Sequence, residues 1–135
     1  MSHTVLIVDD EPALTVALMT RLEANGYTVY HAINGLAGVE AAALHTPDAI
    51  VMDIRMPDIS GFDAFERIRR LPGMTKVPVI FLSAHAQEGV KQQALDTGAA
   101  AFLSKPFEAS DILNAISRSL EVDIDAHLEE SSRDA

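Results

Sequence analysis

Five short apolar runs, most of them rich in β-branched residues, recur along the 135-residue chain, and each is followed by a stretch with helical spacing. That strict alternation leaves few folds open. The runs cover residues 4–8 (TVLIV), 27–31 (YTVYH), 49–52 (AIVM), 77–82 (VPVIFL) and 100–103 (AAFL). The first helix is expected after Asp10 and Pro12, with Leu14, Ala17, Leu18 and Leu22 on one face and a stop at Asn25-Gly26. A second spans about 35–45 with Leu36, Val39, Ala43 and Leu44 on one face. A third spans about 61–70 through Phe62, Phe65 and Ile68 and closes at Leu71-Pro72-Gly73. A weaker fourth covers about 87–97 with Val90, Ala94 and Leu95, and a fifth covers about 107–120 with Ile112, Ala115, Ile116 and Leu120.

Strands that alternate with helices must run parallel and be covered on both faces, so the expected fold is a doubly wound α/β domain with right-handed crossovers. The chain has room for one such domain, placed at residues 1–120. Residues 121–135, with six acids against Arg133 and no sustained periodicity, are expected to form a frayed acidic tail. The longest apolar run, residues 77–82, is far short of the roughly 18 residues a membrane span needs. There is no cysteine, which removes disulfides and thiol chemistry and fits a reducing, cytoplasmic setting. A net charge of −10 repels phosphate backbones, so direct nucleic-acid binding is not expected.

In a doubly wound sheet, ligands bind beyond the C-terminal ends of the strands. Strand one ends in Asp9-Asp10, strand three in Asp53, strand four in Ser83 and strand five in Ser104-Lys105-Pro106. Three carboxylates, a hydroxyl and an ammonium thus converge on one edge. Carboxylates at close quarters raise one another's pKa unless a cation neutralises them, and hard oxygen ligands without His or Cys favour Mg2+. Lys105 suits a phosphoryl oxygen and Ser83 can donate to one. The set points to phosphoryl transfer with a carboxylate nucleophile. Any one of these residues alone has an ordinary explanation: Asp9-Asp10 a helix cap, Asp53 a strand-end carboxylate, Ser83 a turn residue, Lys105 a surface charge. Their convergence outweighs those readings. The five histidines show no metal-ligand spacing, with His85 the one near the site, and Arg67, Arg69 and Arg70 read as a solvated helix end.

Four segments, VLIVDDEP (5–12), AIVMDIRMPDISGF (49–62), VPVIFLSA (77–84) and FLSKPF (102–107), resemble in order and spacing the receiver domains of two-component response regulators. The resemblance runs from about Thr4 to Leu120. It implies a CheY-like, flavodoxin-like sheet of five parallel strands in the order 2-1-3-4-5 with five helices. It also implies a switch that accepts a phosphoryl group on Asp53, as 4-aspartylphosphate, in a Mg2+-dependent reaction. Asp10 would be a direct metal ligand, Asp9 would act mainly through metal-bound water, and Arg55 would contribute its backbone carbonyl. Ser83 and Lys105 would contact the phosphoryl group, the Lys105-Pro106 peptide would be cis, and Phe102 would occupy the aromatic switch position. Ala100 and Ala101 stand where the family often has acidic residues, and Phe102 lacks a tyrosine hydroxyl.

The partners implied are a sensor histidine kinase or phosphotransfer protein and an output protein that reads the face of helix four, strand five and helix five. The chain would be a monomer or a weak phosphorylation-dependent dimer. It would not be an enzyme beyond its own phosphorylation and dephosphorylation. An aspartyl-phosphate phosphatase is disfavoured because Arg55 stands where such enzymes carry a second Asp. The alternative reading is a receiver segment of a larger DNA-binding or enzymatic regulator or hybrid kinase.

Overall fold

The structure, a computed structural model, describes the backbone of residues 3–84 and 88–133, with side chains for 3–84 and 89–121. Five strands, β1 (Thr4–Val8), β2 (Thr28–Ala32), β3 (Ala49–Asp53), β4 (Val79–Ser83) and β5 (Ala101–Ser104), alternate with α1 (Pro12–Ala24), α2 (Gly35–His45), α3 (Gly61–Arg69), α4 (Glu88–Asp96) and α5 (Ala109–Arg133). All strand pairings are parallel, and the order across the sheet is β2-β1-β3-β4-β5. The fold is the five-stranded doubly wound sheet that the alternation predicts.

Period-two alternation sorts the strand residues into two cores. Leu6, Val8, Ile50, Met52, Val79 and Phe81 face Ala42 of α2, Ala64, Phe65 and Ile68 of α3, and Ala94 of α4. Val5, Ile7, Val51, Ile80 and Leu82 face Leu18 and Leu22 of α1 and Ile112, Ile116 and Leu120 of α5. Both faces of β1, β3 and β4 are therefore closed to water. That is why these strands read as continuous apolar runs.

Strand boundaries shift by one or two residues from expectation, for reasons visible in the backbone. Gly26 (φ 90°) ends α1, and the Tyr27 N–H donates back to the Leu22 carbonyl at 3.1 Å. Tyr27 is thus spent on closing the helix, and β2 starts at Thr28. Gly98 (φ 91°) ends α4 in the same way, with the Ala99 N–H on the Ala94 carbonyl, and β5 starts at Ala101. Pro78 precedes β4 and only accepts, from the Ile50 N–H at 3.0 Å.

Three helix faces depart from the sequence reading. In α2, Leu36 and Leu44 are exposed, and the buried positions are Gly35, Gly38 and Ala42. Small residues let α2 lie close on the sheet: a Cβ at Gly38 would stand 2.9 Å from the Val8 methyls. In α1, Ala17 is exposed and Thr15 is buried in its place, its hydroxyl donating to the Glu11 carbonyl at 3.0 Å. In α4, Ala94 is buried while Leu95 is 43% exposed.

Arg69 does not belong to a solvated helix end. Its guanidinium lies 4.5 Å from the centroid of the Phe65 ring and donates to the carbonyls of Thr75 and Gly98 at 2.5 and 3.4 Å. It therefore ties the end of α3 to the turn between α4 and β5, and burial holds its pKa below the usual arginine value. At the C-terminal end, the backbone of α5 continues past Leu120 to Arg133. No glycine or proline stands between Leu120 and Arg133 to break a helix.

Candidate phosphoryl-acceptor site

The chain leaves β1 toward β2 on one side and returns to β3 on the other, so the crevice between the ends of β1 and β3 is the topological switch point. The acidic residues meet there. Asp9 follows β1 directly and is 1% exposed; Asp53 is the last residue of β3 and is 5% exposed. Asp10 lies beside them at the surface, and one carboxylate oxygen from each of the three lies within 4.8 Å of the others.

The backbone around the crevice is tied down on every side. The Asp9 N–H bonds the Ala32 carbonyl at 3.1 Å, prolonging the β1–β2 ladder, and Asp9 Oδ1 accepts the Glu11 N–H at 2.7 Å, turning the chain into α1. His31 places Nε2 3.0 Å from the Asp9 carbonyl oxygen. Beyond β3, the Ile54 N–H bonds the Leu82 carbonyl at 3.0 Å, the Arg55 N–H donates to Asp53 Oδ1 at 3.2 Å, and the Gly61 N–H donates to the Ile54 carbonyl at 2.8 Å. Asp58 in the same loop accepts from the N–H groups of Gly35 and Leu36 at 2.9 and 2.8 Å, which fixes the start of α2. Desolvation acts against the Asp58 anion, but those backbone donors, Leu36 first, hold its carboxyl below the usual range.

Lys105 completes the site from the far side of the sheet. Its N–H bonds the Ser83 carbonyl at 2.8 Å, extending the β4–β5 ladder by one step, and its peptide bond to Pro106 is cis. The ammonium reaches Glu11 Oε1 at 2.7 Å, Asp53 Oδ2 at 3.0 Å and Asp9 Oδ2 at 3.4 Å. Burial opposes its charge, but the hydrogen bonds to Glu11 and Asp53 and the charges of Asp53 and Asp9 outweigh burial and hold its pKa above the usual lysine value. The ammonium form is favoured accordingly. Burial raises the Asp9 carboxyl above its usual 3.8, against the lowering effects of the Glu11 N–H and of Lys105.

Asp9, Asp10, Asp53 and Lys105, singled out from the strand ends, are therefore gathered in one crevice. Ser83, 3% exposed, ends β4 one step beyond the Asp53↔Leu82 register pair. The Arg55 side chain is exposed, and that residue meets Asp53 through its backbone N–H. Phe102 is half-buried, opposite Phe81 in the β4–β5 register, and packs on the α2–α3–α4 side of the sheet. His85 lies outside the described residues. Glu11 is not among the residues that the strand ends single out. Its signal was its place immediately after the Asp9-Asp10 pair.

Among the described residues, Asp9, Asp10 and Asp53, with Glu11 beside them, face one ammonium. The three clustered aspartates fit a divalent cation of the Mg2+ type: the shortfall of positive charge invites one, and their ligand atoms are all hard oxygens.

Comparison with known proteins shows the family and the fold. Residues 5–117 match the family model described as the response regulator receiver domain. The transcriptional regulatory protein KdpE of Mycobacterium tuberculosis is 41% identical over 109 residues, which cover 81% of this chain and 47% of that protein. The chain thus spans about half the length of that relative. The chemotaxis protein CheY of Bacillus subtilis is 36% identical over 121 residues, covering 89% of this chain and 99% of that protein. Among solved structures, the chemotaxis response regulator CheY4 of Vibrio cholerae superposes with a TM-score of 0.82 at 27% identity, over 88% of this chain and 99% of that one. The receiver domain of a sensor histidine kinase from Pseudomonas aeruginosa, solved with a magnesium ion in its active-site cleft, gives 0.81 at 30% identity, over 90% and 99%. No helix among the described residues is long and apolar enough to cross a membrane. The chain therefore belongs to the response regulator receiver domain family of two-component systems.

Proposed function

We propose that the chain is a phosphorylation-controlled switch whose acceptor is Asp53. The observation that carries this reading is the Lys105 ammonium 3.0 Å from Asp53 Oδ2, inside a cluster of carboxylates at the switch point of the sheet. In the transfer, an Asp53 carboxylate oxygen forms a new bond to phosphorus while the phosphorus–nitrogen bond of a phosphohistidine breaks. The imidazole nitrogen leaves with the bonding pair. The donor is a sensor histidine kinase or a phosphotransfer protein. Dephosphorylation reverses the modification when a water oxygen bonds to phosphorus and Asp53 leaves as the carboxylate.

Asp9, Asp10, Asp53 and the Arg55 carbonyl would hold Mg2+, which when bound offsets the negative charge that the transferring group brings. Lys105 supplies a fixed positive charge to a phosphoryl oxygen, and the Ser83 hydroxyl a donor. Phosphoryl oxygens that draw Ser83 and Lys105 toward Asp53 repack the β4–β5 pair, and Phe102, opposite Phe81, is the side chain placed to follow. The output partner reads the α4–β5–α5 face, as a separate protein or as a further segment of a longer regulator. The half-length match to KdpE favours the second arrangement and the near full-length match to CheY the first. The module works in the cytoplasm, without touching nucleic acid itself, as a monomer or a weak phosphorylation-dependent dimer.

Incubation with acetyl phosphate and Mg2+ should add one hydroxylamine-labile phosphoryl group and shift the amide resonances of Ser83 and residues 101–105, while those of β2 stay in place. Phosphorylation that leaves the β4–β5 amides unmoved would overturn the switch.

The metal ligands should separate in a melting experiment. A ligand bound only by the folded state stabilises it by about 2.7 kcal/mol at a hundredfold excess over Kd. Wild type should gain several degrees in Tm on titration with Mg2+, and Asp10→Asn should lose most of that gain. Asp9→Asn should lose less. In EDTA at neutral pH, Asp9→Asn should melt at or above wild type. Burial makes the folded chain bind the Asp9 proton more tightly than the unfolded chain, so the group favours folding below pH 3.8 and loses that contribution as pH rises through its raised value. A larger loss of Mg2+ response at Asp9 than at Asp10 would reverse the two roles.

A further inference from the structure

The shortest of the three contacts made by the Lys105 ammonium goes to Glu11, a residue with no part in the acceptor chemistry just described. Glu11 precedes α1 in extended conformation (φ −95°, ψ 103°), and its N–H is held by Asp9 Oδ1. The turn that presents Asp10 to the crevice therefore also fixes where the Glu11 side chain starts. From there Oε1 reaches Nζ at 2.7 Å, while the lysine side chain is 13% exposed. An ammonium has three N–H donors, and Glu11, Asp53 and Asp9 supply three carboxylate oxygens for them.

An isolated ion pair at a half-exposed glutamate contributes little to stability. Its consequence here is directional. A donor hydrogen committed to Glu11 is withheld from any other oxygen in the crevice, and Glu11 adds a negative charge where an anionic phosphodonor must arrive.

We propose that Glu11 is a positioning residue that restrains Lys105: it holds the ammonium at the β1–α1 side of the crevice in the resting chain and competes with the phosphoryl group for it. The inference rests on the reading of Asp53 as acceptor. Glu11 then sets how fast the switch is loaded, a property separate from whether it can be loaded.

The test uses the full chain with lysine labelled at Nζ. In metal-free protein, the Lys105 ammonium resonance, identified by its absence from Lys105→Met, should move toward the exposed-lysine position in Glu11→Gln; an unmoved resonance overturns the restraint. With acetyl phosphate at saturating Mg2+, Glu11→Gln should load about threefold faster than wild type at low ionic strength, a gain that shrinks as salt screens the charge. Glu11→Asp, which keeps the charge, should return the rate to near wild type. A Glu11→Gln rate equal to or below wild type overturns the competition. If wild type itself takes no label, the acceptor assignment fails instead, and the ammonium resonance alone decides whether Glu11 restrains Lys105.

Discussion

Asp53→Asn should keep the fold and lose phosphorylation altogether. The replacement is isosteric, and an amide oxygen can still accept the Arg55 N–H that Asp53 Oδ1 accepts now. What disappears is the anion. A carboxamide oxygen is a far poorer nucleophile toward phosphorus, and losing the nucleophile of a covalent mechanism lowers the rate by roughly three orders of magnitude or more. The Lys105 ammonium loses one anionic partner at the same time but keeps Glu11 and Asp9, so it stays in the crevice. Intact-mass measurement after incubation with acetyl phosphate and Mg2+ should show one added phosphoryl group in wild type and none in the variant. An amide spectrum of Asp53→Asn that matches resting wild type separates lost chemistry from lost structure. Labelling of the variant at the wild-type rate would move the acceptor to another residue.

The acidic pocket was legible in sequence because a doubly wound sheet brings all its strand ends to one edge. Once the runs at 4–8, 49–52 and 100–103 are read as parallel strands, Asp9, Asp10, Asp53 and Lys105 have no choice but to converge. What sequence could not supply is how side chains share one another within that edge. Glu11 and Asp10 are both acidic residues at a helix start, and only the turn fixed by Asp9 Oδ1 sends the Glu11 carboxylate to Lys105.

The helix faces went wrong for a different reason. Periodicity ranks positions by apolar size, which points Leu36 and Leu44 inward, yet α2 meets the sheet through Gly38 and Ala42 and meets Ile59 through Gly35, where close packing leaves no room for a larger side chain. Arg69 shows the same limit from the polar side. A guanidinium can cover an aromatic ring and satisfy carbonyls from two loops while its charge sits at the end of a helix, and composition alone assigns such a residue to water.

Gly61 is where that close approach matters most for the site, and Gly61→Ala should be the most damaging single-methyl change in the chain. Gly61 is the first residue of α3 and is buried against the end of β3. A Cβ there would stand 2.5 Å from the Asp53 carbonyl oxygen and 2.9 Å from Ile54 Cα. Both obstacles are backbone, so no side chain can swing aside to make room. The Gly61 N–H is bonded to the Ile54 carbonyl at 2.8 Å, which leaves the helix start little freedom to retreat. Replacing glycine by alanine within a helix favours folding by about 0.5–1 kcal/mol, whereas forcing atoms into a filled space costs about 1–3 kcal/mol or more. Sterics should win, lowering Tm by several degrees, up to about 10 °C. The displaced peptide carries Asp53, so the acceptor shifts relative to Lys105 and phosphoryl loading should slow as well. Gly89→Ala in α4 is the control: the same methyl meets nothing within 4 Å, and the variant should be neutral or slightly more stable. Thermal unfolding of the two variants side by side decides the matter, and a Gly61→Ala protein that melts no lower than Gly89→Ala would mean that α3 can slide along β3 without disturbing Asp53.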